Sequence, residues 1–122
     1  MHDNLPAYAK GVLGEAAVCD RLTDGGMELL ERRFRSPFGE IDLIMLDGDV
    51  LAFVEVKLRG EGAVGLPRDF VDERKRRRLR TAAELYLAQY GIEAPARFDV
   101  AEVYTDEAGK PRRMEYLEDA FQ

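Results

Sequence analysis

Apolar and polar positions recur with two different periods along this chain, and the switches between them mark its elements. From residue 5 to 23, Leu5, Tyr8, Val12, Ala16, Cys19 and Leu22 follow helical spacing. Asp3 or Asn4 stands ready to cap this helix and Gly25-Gly26 to stop it. Residues 27–35 read as a first strand through Met27, Leu29, Leu30 and Phe34, and Ser36-Pro37-Phe38-Gly39 as a turn. Residues 40–46 and 50–58 are strands joined by Asp47-Gly48-Asp49, a strong hairpin signal. Three glycines and Pro67 make residues 59–68 a loop. A long helix is predicted from Asp69 to Tyr90, with Asp69 and Asp72 at its N-terminus and Gly91 after it. A strand from Arg97 to Tyr104, a turn from Asp106 to Pro111 and a short strand from Arg112 to Leu117 complete the order, with the Phe121 ring expected back on the core. No repeat or linker divides the chain, so residues 1–122 read as a single α/β domain.

Composition narrows the chemistry. Apolar residues are 46% and charged residues 34% of 122, a globular balance. No apolar run approaches the ~18 residues of a membrane span, so no membrane partner is expected. Cys19 is the single cysteine, which excludes an internal disulfide and a thiolate metal cluster and fits a cytoplasmic setting. The one histidine, His2, lies at the N-terminus. A metal would then need oxygen ligands, favouring Mg²⁺ or Mn²⁺ over zinc. The net charge of −6 is awkward for a nucleic-acid binder, but it is unevenly spread. Residues Arg68 to Arg80 hold seven basic and three acidic side chains, whereas Glu102 to Asp119 hold six acidic and three basic.

Charges also interrupt the strands. If the hairpin loop is Gly48-Asp49, positions summing to 97 face each other, and Asp42 lies opposite Glu55. One face then carries Ile41, Leu43 and Met45 with Ala52, Val54 and Val56. The other carries Glu40, Asp42, Ile44 and Leu46 with Leu51, Phe53, Glu55 and Lys57. Opposed β-carbons are ~4.5–5.5 Å apart, close enough for two carboxylates to share a cation, with Lys57 beside them. The plain alternative is a solvated ion-pair network; the flanking apolar residues argue against full exposure. Glu15 falls within the apolar arc of the first helix and should face the sheet. Lys75 shares an inward stripe with Leu79, Ala82 and Tyr86, while Arg74, Arg76, Arg77, Arg78 and Arg80 surround it. Those arginines fit a phosphate-contacting helix or, equally, a solvated one. Tyr86, Tyr90 and Cys19 read as core, and Gly11 and Gly14 as close-packing points.

Three motifs, Lys10-Gly11-x-x-Gly14-Glu15-x-Ala17, Gly39-Glu40-Ile41-Asp42-Leu43-Ile44 and Phe53-Val54-Glu55-Val56-Lys57-x-Arg59, resemble the YraN-like family of uncharacterised bacterial proteins. Val71-x-x-x-Lys75-x-x-Arg78, Arg97-Phe98-Asp99-Val100 and Ala120-Phe121 extend the likeness over nearly the whole chain. Two positions depart: Cys19-Asp20 replaces a usual Tyr-Leu, and Arg33 stands where an Asn is common. That family is similar to the restriction-endonuclease-like superfamily and to archaeal Holliday-junction resolvases. The resemblance implies a central mixed sheet of about five strands flanked by two main helices. It also implies a Mg²⁺- or Mn²⁺-dependent endonuclease acting on DNA, branched or structured. Asp42, Glu55, the Val56 carbonyl and Glu15 would be metal ligands. Lys57 and Glu40 would handle water, and Arg59, Lys75, Arg76, Arg77 and Arg78 would hold phosphates. Resolvases of this kind act as dimers, so a homodimer is a further expectation. A non-catalytic nucleic-acid-binding module and a protein-interaction domain are the rival readings.

Overall fold

A computed structural model describes residues 6–60 and 71–122. Asp3, Asn4, Leu5, His2, Arg68, Asp69 and most of the expected 59–68 loop lie outside the described residues. The elements run α1 (Ala7–Asp24), β1 (Glu28–Ser36), β2 (Gly39–Asp47), β3 (Val50–Gly60), α2 (Glu73–Gln89), β4 (Ala96–Thr105) and β5 (Pro111–Phe121). The five strands form one sheet in chain order. Every neighbouring pair is antiparallel except β3 and β4, which are parallel, so α2 lies in the crossover between them. This is the mixed five-stranded α/β arrangement with two helices expected of a restriction-endonuclease-like core. No described helix is long and apolar enough to cross a membrane.

Each helix covers one face of the sheet because its buried residues fall on one stripe. Val18, Cys19 and Leu22 of α1 pack on Leu43, Met45, Ala52, Val54, Ala101 and Val103. Leu79, Ala82, Ala83 and Tyr86 of α2, spaced by three and four, pack on Ile44, Leu51, Phe53 and Val100. The Asp72 carboxylate accepts the Lys75 N–H at 2.9 Å and caps α2. Gly14 lets α1 lie close to the sheet, since a β-carbon there would come within 2.5 Å of Leu58 Cδ2, whereas Gly11 has open space. Gly11 is therefore no packing point. Tyr90 is also not core: it is 53% exposed, with its ring tilted against buried Tyr86.

The β2–β3 hairpin has the expected register, with Asp47 opposite Val50, Leu46 opposite Leu51 and Leu43 opposite Val54. Gly48 takes φ +62° in its two-residue loop, a conformation that favours glycine. The pairing ends at Leu43 and Val54, which corrects the simple alternation drawn from sequence. Beyond that pair β2 turns away, and Ile41 joins the α2-side cluster instead of standing with Leu43 and Met45. The turn coincides with Arg33 on the neighbouring strand, whose φ is +52°. Asn enters this left-handed region more readily than Arg. Two strands also extend further than expected. Arg59 and Gly60 belong to β3, and Phe121 ends β5, where its ring stacks on Phe98 at 5.0 Å.

Candidate functional site

Where β2 and β3 part, an open cleft of about 690 Å³ forms between their ends and the first turns of α2. Asp42, Glu55 and Lys57 line it from the sheet, Gly39 and Glu40 from the start of β2, and Arg74, Lys75 and Arg78 from the helix. Strand separation shapes the site directly. With the ladder ended, the Val56 N–H needs another acceptor, and Asp42 Oδ2 takes it at 2.8 Å. Asp42 is thereby fixed by the backbone of the strand that carries Glu55.

Glu55 is 5% exposed, and burying a carboxylate requires a partner. Lys75 supplies it from α2 with a direct ion pair to Glu55 Oε2, and Lys57 Nζ lies 3.9 Å from the same oxygen. Crowding displaces Asp42, Lys57 and Lys75 from their ordinary values. Burial first, then the charge of Glu55, pushes Asp42 up to about 8, against the pull of the Val56 N–H. Burial lowers Lys57, and the neighbouring Lys75 charge lowers it further. On Lys75 burial works downward, but the hydrogen bond and charge of Glu55 outweigh it and the net displacement is upward. Near neutral pH Asp42 keeps its proton, and the lining sets Lys57, Arg74, Lys75 and Arg78 against the carboxylates of Glu55, Glu40 and Asp72.

The remaining sequence-predicted residues are distributed more widely. Glu40 lies at the rim, exposed and paired with Arg35 at 3.1 Å. Glu15 sits on α1, held by Arg33 Nε at 2.9 Å. It does not line the cleft, although its charge is among the smaller causes raising Asp42. Arg78 reaches the rim, while Arg77 lines an adjoining groove. Arg76 turns inward, donating to the Val71 carbonyl at 3.0 Å and lying 5.4 Å from the Phe121 ring centre. Arg59 Nη2 lies 3.6 Å from the buried carboxylate of Glu102. The basic run therefore divides into rim residues and structural ones. Arg74, one of the arginines read from sequence as surrounding Lys75, lines both cleft and groove, four residues before Arg78 on the same helical stripe.

Among the described residues, no three His, Cys, Asp or Glu side chains converge on a common point. Asp42 and Glu55 nevertheless offer a hard-oxygen pair, and Mg²⁺ characteristically takes one or two protein carboxylates while keeping water and substrate phosphate in its other positions. An acid that holds its proton to about pH 8 beside another acid, with an ammonium already drawn onto that neighbour, is a donor set that fits such a cation.

Residues 14–103 match the model of Uncharacterised protein family UPF0102, a span that includes α1 from Gly14, the cleft and most of β4. A UPF0102 protein of Moorella thermoacetica is 40% identical over 113 residues, covering 92% of this chain and 94% of its own. One from Pseudomonas aeruginosa is 38% identical over 123 residues, covering 99% and 98%, and one from Dictyoglomus thermophilum is 38% identical over 112, covering 91% and 95%. With the family model matching most of the chain and relatives of 38–40% identity along nearly all of it, the chain belongs to the UPF0102 family.

Proposed function

We propose that the cleft hydrolyses phosphodiester bonds in nucleic acid, DNA in the first place, as an endonuclease dependent on Mg²⁺ or Mn²⁺. The observation that carries this reading is the crowding of Asp42 and Glu55. Burial and the charge of Glu55 hold a proton on Asp42 to about pH 8, in a cleft that carries Lys57, Arg74, Lys75 and Arg78 beside the acids Glu40 and Asp72. Asp42, Glu55 and the Val56 carbonyl oxygen would hold the cation, which when bound polarises the phosphate and acidifies the attacking water. Lys57, whose proton affinity is lowered, orients water at the reacting phosphorus and offsets charge on the equatorial oxygens. Glu40 stands at the rim to orient a second water. Lys75 holds Glu55 in place. Arg74 and Arg78 fork onto neighbouring phosphates. Glu15 contributes through its charge on Asp42, and Arg33 keeps it in position.

The test is cleavage of branched, single-stranded and duplex DNA with Mg²⁺ or Mn²⁺, with chelator as control. Loss of cleavage in Asp42→Asn and Glu55→Gln is expected; cleavage that survives both changes removes the mechanism. The ion pair already made between Lys75 and Glu55 favours a second reading, a nucleic-acid-binding module without turnover. That reading expects salt-sensitive binding, weakened by Arg78→Ala, and no cleavage with either metal.

A further inference from the structure

One exposed aromatic has a setting that single surface hydrophobes ordinarily lack. Phe38, 52% exposed, sits at the tip between β1 and β2. The tip is braced. Ser36 Oγ accepts the N–H groups of Phe38 and Gly39 at 3.2 and 3.1 Å and donates to the Gly39 carbonyl at 2.8 Å. Arg78 Nε donates to the Phe38 carbonyl at 3.2 Å, tying the tip to α2. Gly39 packs so closely that a β-carbon there would stand 3.4 Å from the Arg78 carbonyl oxygen. The ring is thus presented from a fixed backbone.

It lines a groove of about 350 Å³ together with Pro37, Arg74, Arg77, Arg78 and Thr81. Three guanidiniums surround one ring, and no carboxylate lies in that lining. Among the described residues neither Arg74 nor Arg77 has its guanidinium engaged in an ion pair or hydrogen bond. Arg74 and Arg78 line the cleft as well, so the cationic groove adjoins the cleft through two shared arginines. A partner protein offering an apolar pocket for Phe38 would have to bury those cations, whereas a polyanion with flat apolar faces satisfies both.

We propose that Phe38 is the base-stacking platform of a subsite for an unpaired nucleotide, its phosphates held by Arg74, Arg77 and Arg78. The proposal deepens the preceding reading by naming the substrate class, a nucleic acid with a single-stranded segment beside the cut, and it rests on that reading for the place of the cut. The base must be unpaired because in a duplex both of its faces are covered by neighbours, while an extended strand leaves them open to an aromatic ring. Phe38 precedes Asp42 by four residues, about 13 Å at ~3.3 Å per strand residue. That places the stacked base within about four nucleotides of the reacting phosphate, counting ~3.4 Å per nucleotide at duplex spacing.

The chain has no tryptophan, so Phe38→Trp places one fluorophore at the subsite. With chelator present, a single-stranded DNA oligonucleotide should quench its emission and the same sequence as blunt duplex should not. Phe38→Ala should bind the single strand about tenfold more weakly with duplex binding unchanged, and Arg77→Ala should weaken both. No quenching, equal quenching by both forms, or emission that shifts with protein concentration alone would overturn the proposal. Cleavage by the wild-type chain with Mn²⁺ is scored separately. Quenching without cleavage keeps the subsite and removes the nuclease; cleavage without quenching does the reverse.

Discussion

Replacing Asp42 by Asn should stabilise this protein, by an amount that grows with pH. The amide keeps an oxygen for the Val56 N–H and cannot ionise. In the folded chain Asp42 binds its proton up to about pH 8, against an ordinary value of 3.8. Between those limits the folded state holds the proton and the unfolded chain has released it, so each rise in pH favours unfolding. At about 1.4 kcal/mol per tenfold change in proton affinity, the displacement sets a ceiling of roughly 5–6 kcal/mol at pH 8. The cations Lys57 and Lys75 follow the carboxylate and reduce it, leaving roughly 2–4 kcal/mol. For a chain of this size that is an increase in Tm of roughly 10 °C. Thermal denaturation with chelator from pH 4 to pH 9 reads the effect. Near pH 4 the two proteins should melt together, and the gap should open through neutrality. Mg²⁺ or Mn²⁺ at pH 8 should raise the Tm of wild type and leave Asp42→Asn nearly unmoved. A gap independent of pH, or a variant less stable than wild type at pH 8, would refute the argument.

Lys75→Met leaves Glu55 buried without its nearest counter-charge and should cost about 2–3 kcal/mol in urea unfolding at pH 7; an unchanged midpoint would show that Lys57 suffices. Asp99 is fully buried and accepts from Arg97 at 3.0 Å, from the Asp119 N–H at 2.8 Å and from the Tyr116 hydroxyl. Asp99→Ala orphans these donors and should cost about 3–5 kcal/mol, read from Tm, with Asp99→Asn losing less. Arg33→Val should destabilise by about 1–3 kcal/mol, because a β-branched residue resists the left-handed backbone. Arg33→Asn should stay within about 1 kcal/mol of wild type, backbone relief offsetting the lost Glu15 pair; equal melting of these two variants would count against this account.

The hairpin could be read before the fold because its information is local. Asp47-Gly48-Asp49 admitted few turns, and the parity of Leu43, Met45, Ala52 and Val54 followed from the register alone. The inward face of Lys75 was legible for the same reason, from helical spacing. The end of the β2–β3 ladder at Leu43 was not, because nothing in the alternation of either strand marks where pairing stops, and the left-handed backbone of Arg33 is equally unadvertised by its side chain. Past that point Ile41 stands in the other cluster and Asp42 takes the Val56 N–H. Glu15 was correctly placed on the inner arc of its helix, yet its partner Arg33 lies 18 residues away, a pairing no periodicity encodes. The division of the basic run into rim arginines and Arg76, which serves the core, likewise required the position of Phe121.

Strands β1 and β5 stand at the outer margins of the sheet, and both are poorly suited to accept a further strand. Pairing of β1 shifts between Leu29 and Glu31, and Arg33 twists it again. Strand β5 opens on Pro111, which lacks an N–H, shifts register twice against β4 and carries Arg112, Arg113, Glu115 and Glu118. Bulges, prolines and charges at such margins discourage edge-to-edge aggregation. At high concentration, then, these molecules should not polymerise by adding sheet to sheet, and any copy-to-copy association must use helices or loops instead.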